Sequence, residues 1–179
     1  MSDLTSLSAS TEKGVLVAFF DLAGFARYAR GRAGHEVFDT MSAWFERAGD
    51  LVGAGGGKIL KCMGDAALAV FPEESVAAGV EALLAVKEDG EKWFAARGVS
   101  VRVTVKCHFG PVTCGPVGPK GDKRPDVYGE TVNTAAVLKS NGFAMTPAVF
   151  RKLPESARKR FKKHTPPVTY IPVEESHAG

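Results

Sequence analysis

The feature that most constrains the fold is a continuous apolar run that ends in an acid, VLVAFFD at residues 15–21. An apolar run of this length is typical of a strand that is buried on both faces of a sheet. A charged side chain that closes such a strand is costly unless it is solvated or used in function. The sequence therefore predicts a central strand with a carboxylate, Asp21, at its end.

Glycine and proline divide the rest of the chain into short elements. Helices are predicted over residues 34–52, from 72 to about 98, and over 129–139 and 147–153. Further strands are predicted at residues 58–63, 66–71, 99–109, 112–117, 143–145 and 168–173, with a turn at Gly110-Pro111 and a polar loop over 118–125. This order predicts one α+β domain over residues 13–173, in which helices flank a mostly antiparallel sheet, between a flexible tail at 1–12 and a polar tail at 174–179.

Composition excludes several classes of protein. A length of 179 residues fits one domain, and no apolar run reaches the ~20 residues of a membrane span. The polar start has no signal-peptide core, so the three cysteines are predicted to be reduced thiols in a cytoplasmic protein. A net charge of +3 does not indicate nucleic-acid binding. The basic cluster from Arg151 to His164 is either a solvated face or a contact for a polyanion such as a triphosphate.

Two acids stand beside glycine at the ends of predicted strands. Asp21 closes the first strand, and Asp65 lies in the Gly64-Asp65 turn of a predicted hairpin. If the strand lies beside the hairpin, both carboxylates meet at one edge of the sheet. Paired carboxylates suit magnesium, and two such ions can activate an attacking oxygen and stabilise a leaving pyrophosphate. Taken alone, Asp65 is equally well explained as a turn residue.

Four segments in order resemble the class III nucleotidyl cyclases, the adenylate and guanylate cyclase catalytic domains. They are FFDLAGFARYA at 19–29, KILKCMGDAALAVF at 58–71, FGPVTCGPVG at 109–118 and PDVYGETVNTAAVL at 125–138. The resemblance spans roughly residues 14–173 and implies a ferredoxin-like α+β fold that pairs head to tail with a second copy. It also implies active sites at the homodimer interface, where a ribose 3′-oxygen is joined to the α-phosphate of a nucleoside triphosphate with two metal ions, Mg²⁺ or Mn²⁺.

The resemblance assigns roles to individual residues. Asp21 and Asp65 match the metal-binding aspartates, and Leu22 matches the residue whose carbonyl binds a metal. The backbone amides of Ala23, Gly24, Phe25 and Ala26 match the loop that receives the β- and γ-phosphates. Lys61 matches the lysine that reads the purine, Asp126 matches its partner from the other subunit, and Asn133 matches the asparagine that orients the ribose. A lysine donor and a carboxylate acceptor suit adenine, whereas guanylate cyclases carry Glu and Cys at these positions.

Two positions depart from the family pattern. Val137 stands four residues after Asn133, where the family has an arginine that stabilises charge on the α-phosphate. Loss of one such donor lowers the stabilisation of the transition state by ~2.7–4 kcal/mol. His164 stands where the family has a lysine that binds the triphosphate, and Lys162, Lys163 and Arg124 are candidate replacements.

Three functions follow from these residues. The first is an adenylate cyclase that acts as a homodimer, weakened by Val137. The second is a nucleotide-binding module without turnover, and the third is a cyclase for GTP or a pyrimidine triphosphate. A diguanylate cyclase is disfavoured because residues 64–68 do not form a GGDEF-like hairpin.

Overall fold

The computed structural model describes residues 9–176. Its strands are β1 (Thr11–Ala23), β2 (Lys58–Met63), β3 (Ala66–Pro72), β4 (Arg102–Val117), β5 (Arg124–Tyr128), β6 (Phe143–Met145), β7 (Phe161–His164) and β8 (Thr169–Pro172). Its helices are α1 (Phe25–Ala29), α2 (Gly34–Ala54), α3 (Val76–Ala95), α4 (Glu130–Val137), α5 (Pro147–Lys152) and α6 (Glu155–Arg158), with one 3₁₀ turn at Glu73–Ser75.

The strands form one sheet in the order β2-β3-β1-β4-β6-β8-β7, and β5 pairs with β4 beside this path. The ladder between β4 and β6 is parallel, and the other ladders are antiparallel. The predicted α+β fold with a mostly antiparallel sheet and flanking helices is confirmed.

Strand β1 is buried on both faces, as the apolar run predicts. Alternate side chains of a strand point to opposite faces. One set packs in the core beneath α2 and α3, and its members are Leu16, Ala18, Phe20 and Leu22. The other set packs against β5 and α4, and its members are Val15, Val17 and the partly buried Phe19. Asp21 follows Phe19 in this second set, so it lies where that face of the sheet is no longer closed by apolar side chains.

The predicted turn at Gly110-Pro111 is wrong, because β4 runs through it without interruption. Gly110 pairs with Val15 and Pro111 with Gly14 along the long β1 strand. A Cβ atom on Gly110 would lie 2.5 Å from Thr131 Oγ1, which donates a hydrogen bond of 2.6 Å to the Pro111 carbonyl. Glycine is needed here for the close approach of α4 to the strand, rather than for a turn.

Several short elements were not predicted. Strand β5 lies partly in the predicted polar loop, and β7 lies in the basic cluster, where lysines are typical of an edge strand. Residues from both predicted tails also contact the folded domain. Thr11 pairs with Cys114, and the Glu175 carboxylate accepts a hydrogen bond of 2.9 Å from the Phe143 amide. Residues 1–8 and 177–179, which carry the rest of both predicted tails, lie outside the described residues.

Candidate active site

The register of the sheet brings Asp21 and Asp65 to the same edge. Strand β1 runs antiparallel to β3, and their last paired residues are Phe20 and Ala67. Asp21 is the next residue of β1, and Asp65 lies in the turn just before β3 begins at Ala66. The condition set by the sequence, that the first strand lies beside the hairpin, is therefore met. We call Asp21 and Asp65 the acid edge.

At the acid edge the pKa of the Asp65 carboxyl is raised above its ordinary value. Burial raises the pKa of Asp65, a hydrogen bond from its own backbone lowers it, and the negative charge of Asp21 raises it again. Asp21 is held in place because its Oδ1 atom accepts a hydrogen bond of 2.8 Å from the Leu22 amide. A divalent cation at this edge would relieve the repulsion between the two charges.

The acid edge and the adjacent backbone offer oxygen ligands of the kind that the implied metal ions prefer. Among residues 9–176, no group of three or more His, Cys, Asp and Glu side chains could hold a metal. Two carboxylates and a backbone carbonyl do fit Mg²⁺, which usually keeps several waters and is completed by substrate phosphates. Asp21, Asp65 and the Leu22 carbonyl are the groups that would hold such an ion, with further oxygens from a triphosphate.

The predicted phosphate loop follows the acid edge directly. Gly24 has φ 99°, a left-handed conformation that favours glycine, and α1 begins at the next residue, Phe25. A Cβ atom on Gly24 would lie 3.3 Å from the Ser100 carbonyl oxygen, so the loop packs against the segment that leads into β4. The residues of the loop, Ala23, Gly24, Phe25 and Ala26, are partly buried or exposed, which leaves them accessible to a ligand.

The two residues predicted to read the base meet within one chain. Lys61 Nζ on β2 lies 2.6 Å from Asp126 Oδ2 on β5. The other carboxylate oxygen of Asp126 accepts a hydrogen bond of 2.8 Å from the Val127 amide. The Tyr128 ring centroid lies 5.9 Å from Lys61 Nζ. The expectation that Asp126 reaches Lys61 from the other subunit is therefore wrong, because the β5 strand folds over the sheet and brings the carboxylate to the lysine of its own chain.

The helix that carries Asn133 presents Val137 to solvent. Asn133 is exposed in α4, and Val137 lies four residues further on, at the last position of the helix. The Val137 side chain is 78% exposed, which is unusual for a large apolar residue. An exposed apolar side chain at the position of the family arginine leaves α4 without a cation at this point.

A cleft of about 850 Å³ opens beside the acid edge, and we call it the Asp21 cleft. Its lining includes Asp21 together with four residues from other elements: Arg102, Lys106, Val137 and His164. Both positions that depart from the family pattern thus lie in one cleft with a predicted metal ligand. Among the described residues, Asp65, Lys61, Asp126 and Asn133 do not line it.

The cations proposed to replace the missing ones lie elsewhere. Lys162 donates a hydrogen bond of 2.8 Å to the Val173 carbonyl, and Lys162 and Lys163 are exposed on the edge strand β7. Arg124 lies 3.3 Å from Asp122 at the end of the β4–β5 hairpin. None of these three side chains lines the Asp21 cleft within the described range 9–176.

Sequence reasoning missed two cations that do line the cleft, Arg102 and Lys106. Their spacing of four was visible in the predicted strand, since alternate residues of a strand share a face and Arg102, Thr104 and Lys106 fall on the same one. That this face meets Asp21 depends on the ladder between β1 and β4, in which Asp21 pairs with Thr104. The sequence alone does not give this register.

Several side chains of the basic cluster are engaged within the fold. Lys152 Nζ lies 2.5 Å from Glu73 Oε1, and Arg160 lies 2.5 Å from Glu81. Arg158 donates a hydrogen bond of 3.1 Å to the Phe150 carbonyl. These contacts favour the interpretation of a solvated face over that of a polyanion site.

The fold and the acid edge define a class of protein, and comparison with known proteins identifies it. The family described as "Adenylate and Guanylate cyclase catalytic domain" matches residues 7–164. The chain belongs to this family. It is 30% identical over 129 residues to an adenylate cyclase of Streptomyces coelicolor, a match that covers 72% of this chain and 30% of the relative. The chain thus spans about a third of that relative's length.

Solved structures agree with the fold. The adenylyl cyclase CyaB from P. aeruginosa superposes with a TM-score of 0.79 at 16% identity, over 94% of this chain and 97% of that one. The guanylate cyclase domain of RhGC from Catenaria anguillulae, in complex with GTP, superposes with a TM-score of 0.75 at 20% identity, over 89% and 96%. At these identities the likeness bears on the fold alone. None of the helices in the described part of the chain is long and apolar enough to span a membrane.

Proposed function

We propose that the chain is an adenylate cyclase that converts ATP to 3′,5′-cyclic AMP and pyrophosphate. The reaction forms a bond between the ribose 3′-oxygen and the α-phosphorus, and it breaks the bond from that phosphorus to the oxygen that bridges to the β-phosphate. The 3′-hydroxyl loses its proton, and pyrophosphate leaves. The observation that carries the proposal is the convergence of Asp21 and Asp65 at one edge of the sheet.

In this proposal Asp21, Asp65 and the Leu22 carbonyl hold two divalent ions, Mg²⁺ or Mn²⁺. When bound, such ions activate the attacking oxygen and neutralise the charge of the departing pyrophosphate. The chain itself contributes the fixed position of Asp21, whose carboxylate is oriented by the Leu22 amide at 2.8 Å. The amides of the loop from Ala23 to Ala26 receive the phosphates beyond the reacting one.

The choice of adenine rests on the pair formed by Lys61 and Asp126. The lysine donates to the acceptor N1 of adenine, and the carboxylate accepts from its 6-amino group. Guanine presents an acceptor and an N–H at these places, so this pair opposes it. The existing contact of 2.6 Å supports the assignment, because it puts the donor and the acceptor side by side. Asn133 orients the ribose.

The complete site is shared between two copies of the chain. This proposal is supported by the separation of the functional groups in one chain, because the residues that line the Asp21 cleft do not include the base-reading pair or Asn133. A head-to-tail homodimer would bring the acid edge of one copy to the base-reading pair of the other. The three free thiols are consistent with a reducing, cytoplasmic setting.

A mixing experiment tests the shared site. Asp65→Ala and Asn133→Ala chains should each be inactive alone, and after exchange of subunits half of the dimers are mixed and have one of their two sites intact. Activity should then return to about a quarter of the wild-type value, because a symmetric homodimer has two equivalent sites. A mixture of Asp21→Asn and Asp65→Ala is the control and should stay inactive. Equal inactivity of both mixtures would contradict the sharing.

A second function, a nucleotide-binding module without turnover, is favoured by one observation. Both family cations are absent, with Val137 and His164 in their places in the Asp21 cleft. One experiment separates the two functions. The purified chain is incubated with each of the four ribonucleoside triphosphates and Mn²⁺, and any cyclic product is identified by mass spectrometry. Cyclic AMP as the main product supports the cyclase, and nucleotide binding with no cyclic product supports the module.

A further inference from the structure

Arg102 is a cation of the Asp21 cleft that the family resemblance does not assign. It is exposed at the first position of β4 and lines the cleft with Asp21. Its guanidinium forms no hydrogen bond or ion pair with another residue in the described range 9–176. An arginine without a partner carries a planar fork of donors that matches the oxygens of a phosphate.

The register of the sheet places Arg102 beside the predicted phosphate loop. Arg102 pairs with Ala23 in the ladder between β1 and β4, and Thr104 pairs with Asp21. Residues opposite each other on antiparallel strands share a face, and diagonal neighbours lie within reach of long side chains. Arg102 is therefore a direct neighbour of Ala23 and a diagonal neighbour of Asp21. The segment before Arg102 also touches the loop, since a Cβ atom on Gly24 would lie 3.3 Å from the Ser100 carbonyl.

Lys106 lines the same cleft but already has a structural role. Its Nζ atom donates a hydrogen bond of 2.7 Å to the Ala136 carbonyl at the end of α4. Lysine is well suited to this position, because the last carbonyls of a helix lack partners within the helix and favour a positive charge. Arg102 has no such engagement among the described residues, so its donors are available to a ligand.

We propose that Arg102 binds the β- and γ-phosphates of the nucleotide, on the side of Asp21 in the same chain. It supplies there a positive charge like that of the triphosphate lysine, whose position in the family pattern is taken by His164 in this chain. This inference rests on the proposed function for the identity of the ligand. It also stands by itself as a statement that the Asp21 cleft binds a polyphosphate through Arg102.

Binding of inorganic tripolyphosphate in the presence of MgCl₂ tests the inference without any reaction. Titration calorimetry on the full chain should show binding by the wild type and a loss of about 10-fold or more in affinity for Arg102→Gln, since charge-assisted hydrogen bonds are about twice as strong as neutral ones. Arg102→Lys keeps the charge but loses the fork, so an intermediate affinity is expected. The matched control is Arg47→Gln, because Arg47 pairs with Asp89 between α2 and α3 and does not line the cleft.

Cyclase kinetics give a second readout. Arg102→Gln should raise KM for ATP about 10-fold with a smaller change in kcat, because uniform phosphate binding is lost. Thermal melts of each variant identify a folding defect, and Arg102→Lys provides a test if the glutamine variant is unstable. Equal affinity of wild type and both Arg102 variants for tripolyphosphate, or no binding by the wild type, overturns the inference. Arg102-dependent binding without any cyclic product upholds it and contradicts the proposed function instead.

Discussion

The acid edge and the Lys61–Asp126 pair lie on the same domain but differ in electrostatic balance. Lys61 and Asp126 carry opposite charges and satisfy each other at 2.6 Å. Asp21 and Asp65 carry like charges, and the pKa of Asp65 is raised by its burial and further by the charge of Asp21. The first region is balanced within the folded chain, whereas the second brings together two like charges, which a bound divalent cation would neutralise.

This difference separates recognition from reaction. Under the proposed function the Lys61–Asp126 pair reads the base, so exchanging it should change which nucleotide is used. Under the same proposal Asp21 and Asp65 hold metal ions, so removing either carboxylate should stop the reaction for every nucleotide. The predictions below test this division, beginning with the change that should have the largest effect.

Substitution of Asp65 by alanine should lower the rate by about 10³-fold or more with either Mg²⁺ or Mn²⁺. Metal ions stabilise the transition state of such reactions by several kcal/mol, and each 1.36 kcal/mol of activation free energy changes the rate by a factor of ten. The measurement is kcat for cyclic nucleotide formation. Asp39→Ala is the control, because Asp39 is an exposed residue of α2. Activity of Asp65→Ala equal to that of the control would remove the metal assignment.

Exchange of the base-reading pair should change which nucleotide the chain prefers and leave cyclase activity in place. Lys61→Glu combined with Asp126→Cys should shift the ratio of kcat/KM for GTP and ATP towards GTP by about 10-fold to 100-fold, because an unsatisfied buried polar group costs about 1–3 kcal/mol. The ratio is measured in mixtures of both nucleotides. An unchanged ratio, with total activity retained, would refute the role of this pair in specificity.

Restoring the family arginine should increase the rate. Val137→Arg puts a guanidinium at an exposed position of the Asp21 cleft, so the side chain needs no burial. We expect kcat to rise about 10-fold, below the ~10²–10³ that one transition-state donor contributes where the site is built around it. Val137→Leu is the control for shape and should leave kcat unchanged. A wild-type rate for Val137→Arg would show that another cation already stabilises the α-phosphate.

The smallest effect is on stability. Lys61→Gln breaks the ion pair with Asp126, and the Lys61 side chain is 39% exposed. Ion pairs of this exposure contribute at most about 1 kcal/mol, so the free energy of unfolding in urea should fall by no more than that. A fall of several kcal/mol would mean that the main role of the pair is to hold β5 on the sheet, rather than to bind a base.

The fold was predictable where the hydrophobic pattern has a clear period. The run before Asp21 predicts a strand buried on both faces, and Val80 and Leu83 mark the buried side of α3. The pattern fails at Gly110-Pro111, where glycine serves close packing against Thr131 rather than a turn. It also fails for β5 and β7, since short polar edge strands bury too little apolar surface to leave a periodic signal.

The sequence names candidate residues of the site and predicts that Asp21 and Asp65 meet, but it does not give the rest of their grouping. Motif resemblance named Asp21, Asp65, Lys61 and Asp126, but it did not show that the last two meet within one chain. Arg102 carries no motif, and its position beside Ala23 follows from a ladder that joins residues about 80 apart in sequence. Long-range register is set by the packing of the whole sheet, so local patterns do not reveal it.

The central claim is that Asp21 and Asp65 together hold divalent ions over a bound triphosphate. The most direct test is a titration of Mn²⁺, followed by electron paramagnetic resonance, into the chain saturated with 3′-deoxy-ATP, which lacks the attacking hydroxyl. The account predicts about two bound Mn²⁺ per site in total, the one carried by the nucleotide included, and weaker, incomplete binding in Asp21→Asn and Asp65→Asn. Binding of Mn²⁺ with the same number and affinity in the wild type and both variants would contradict it.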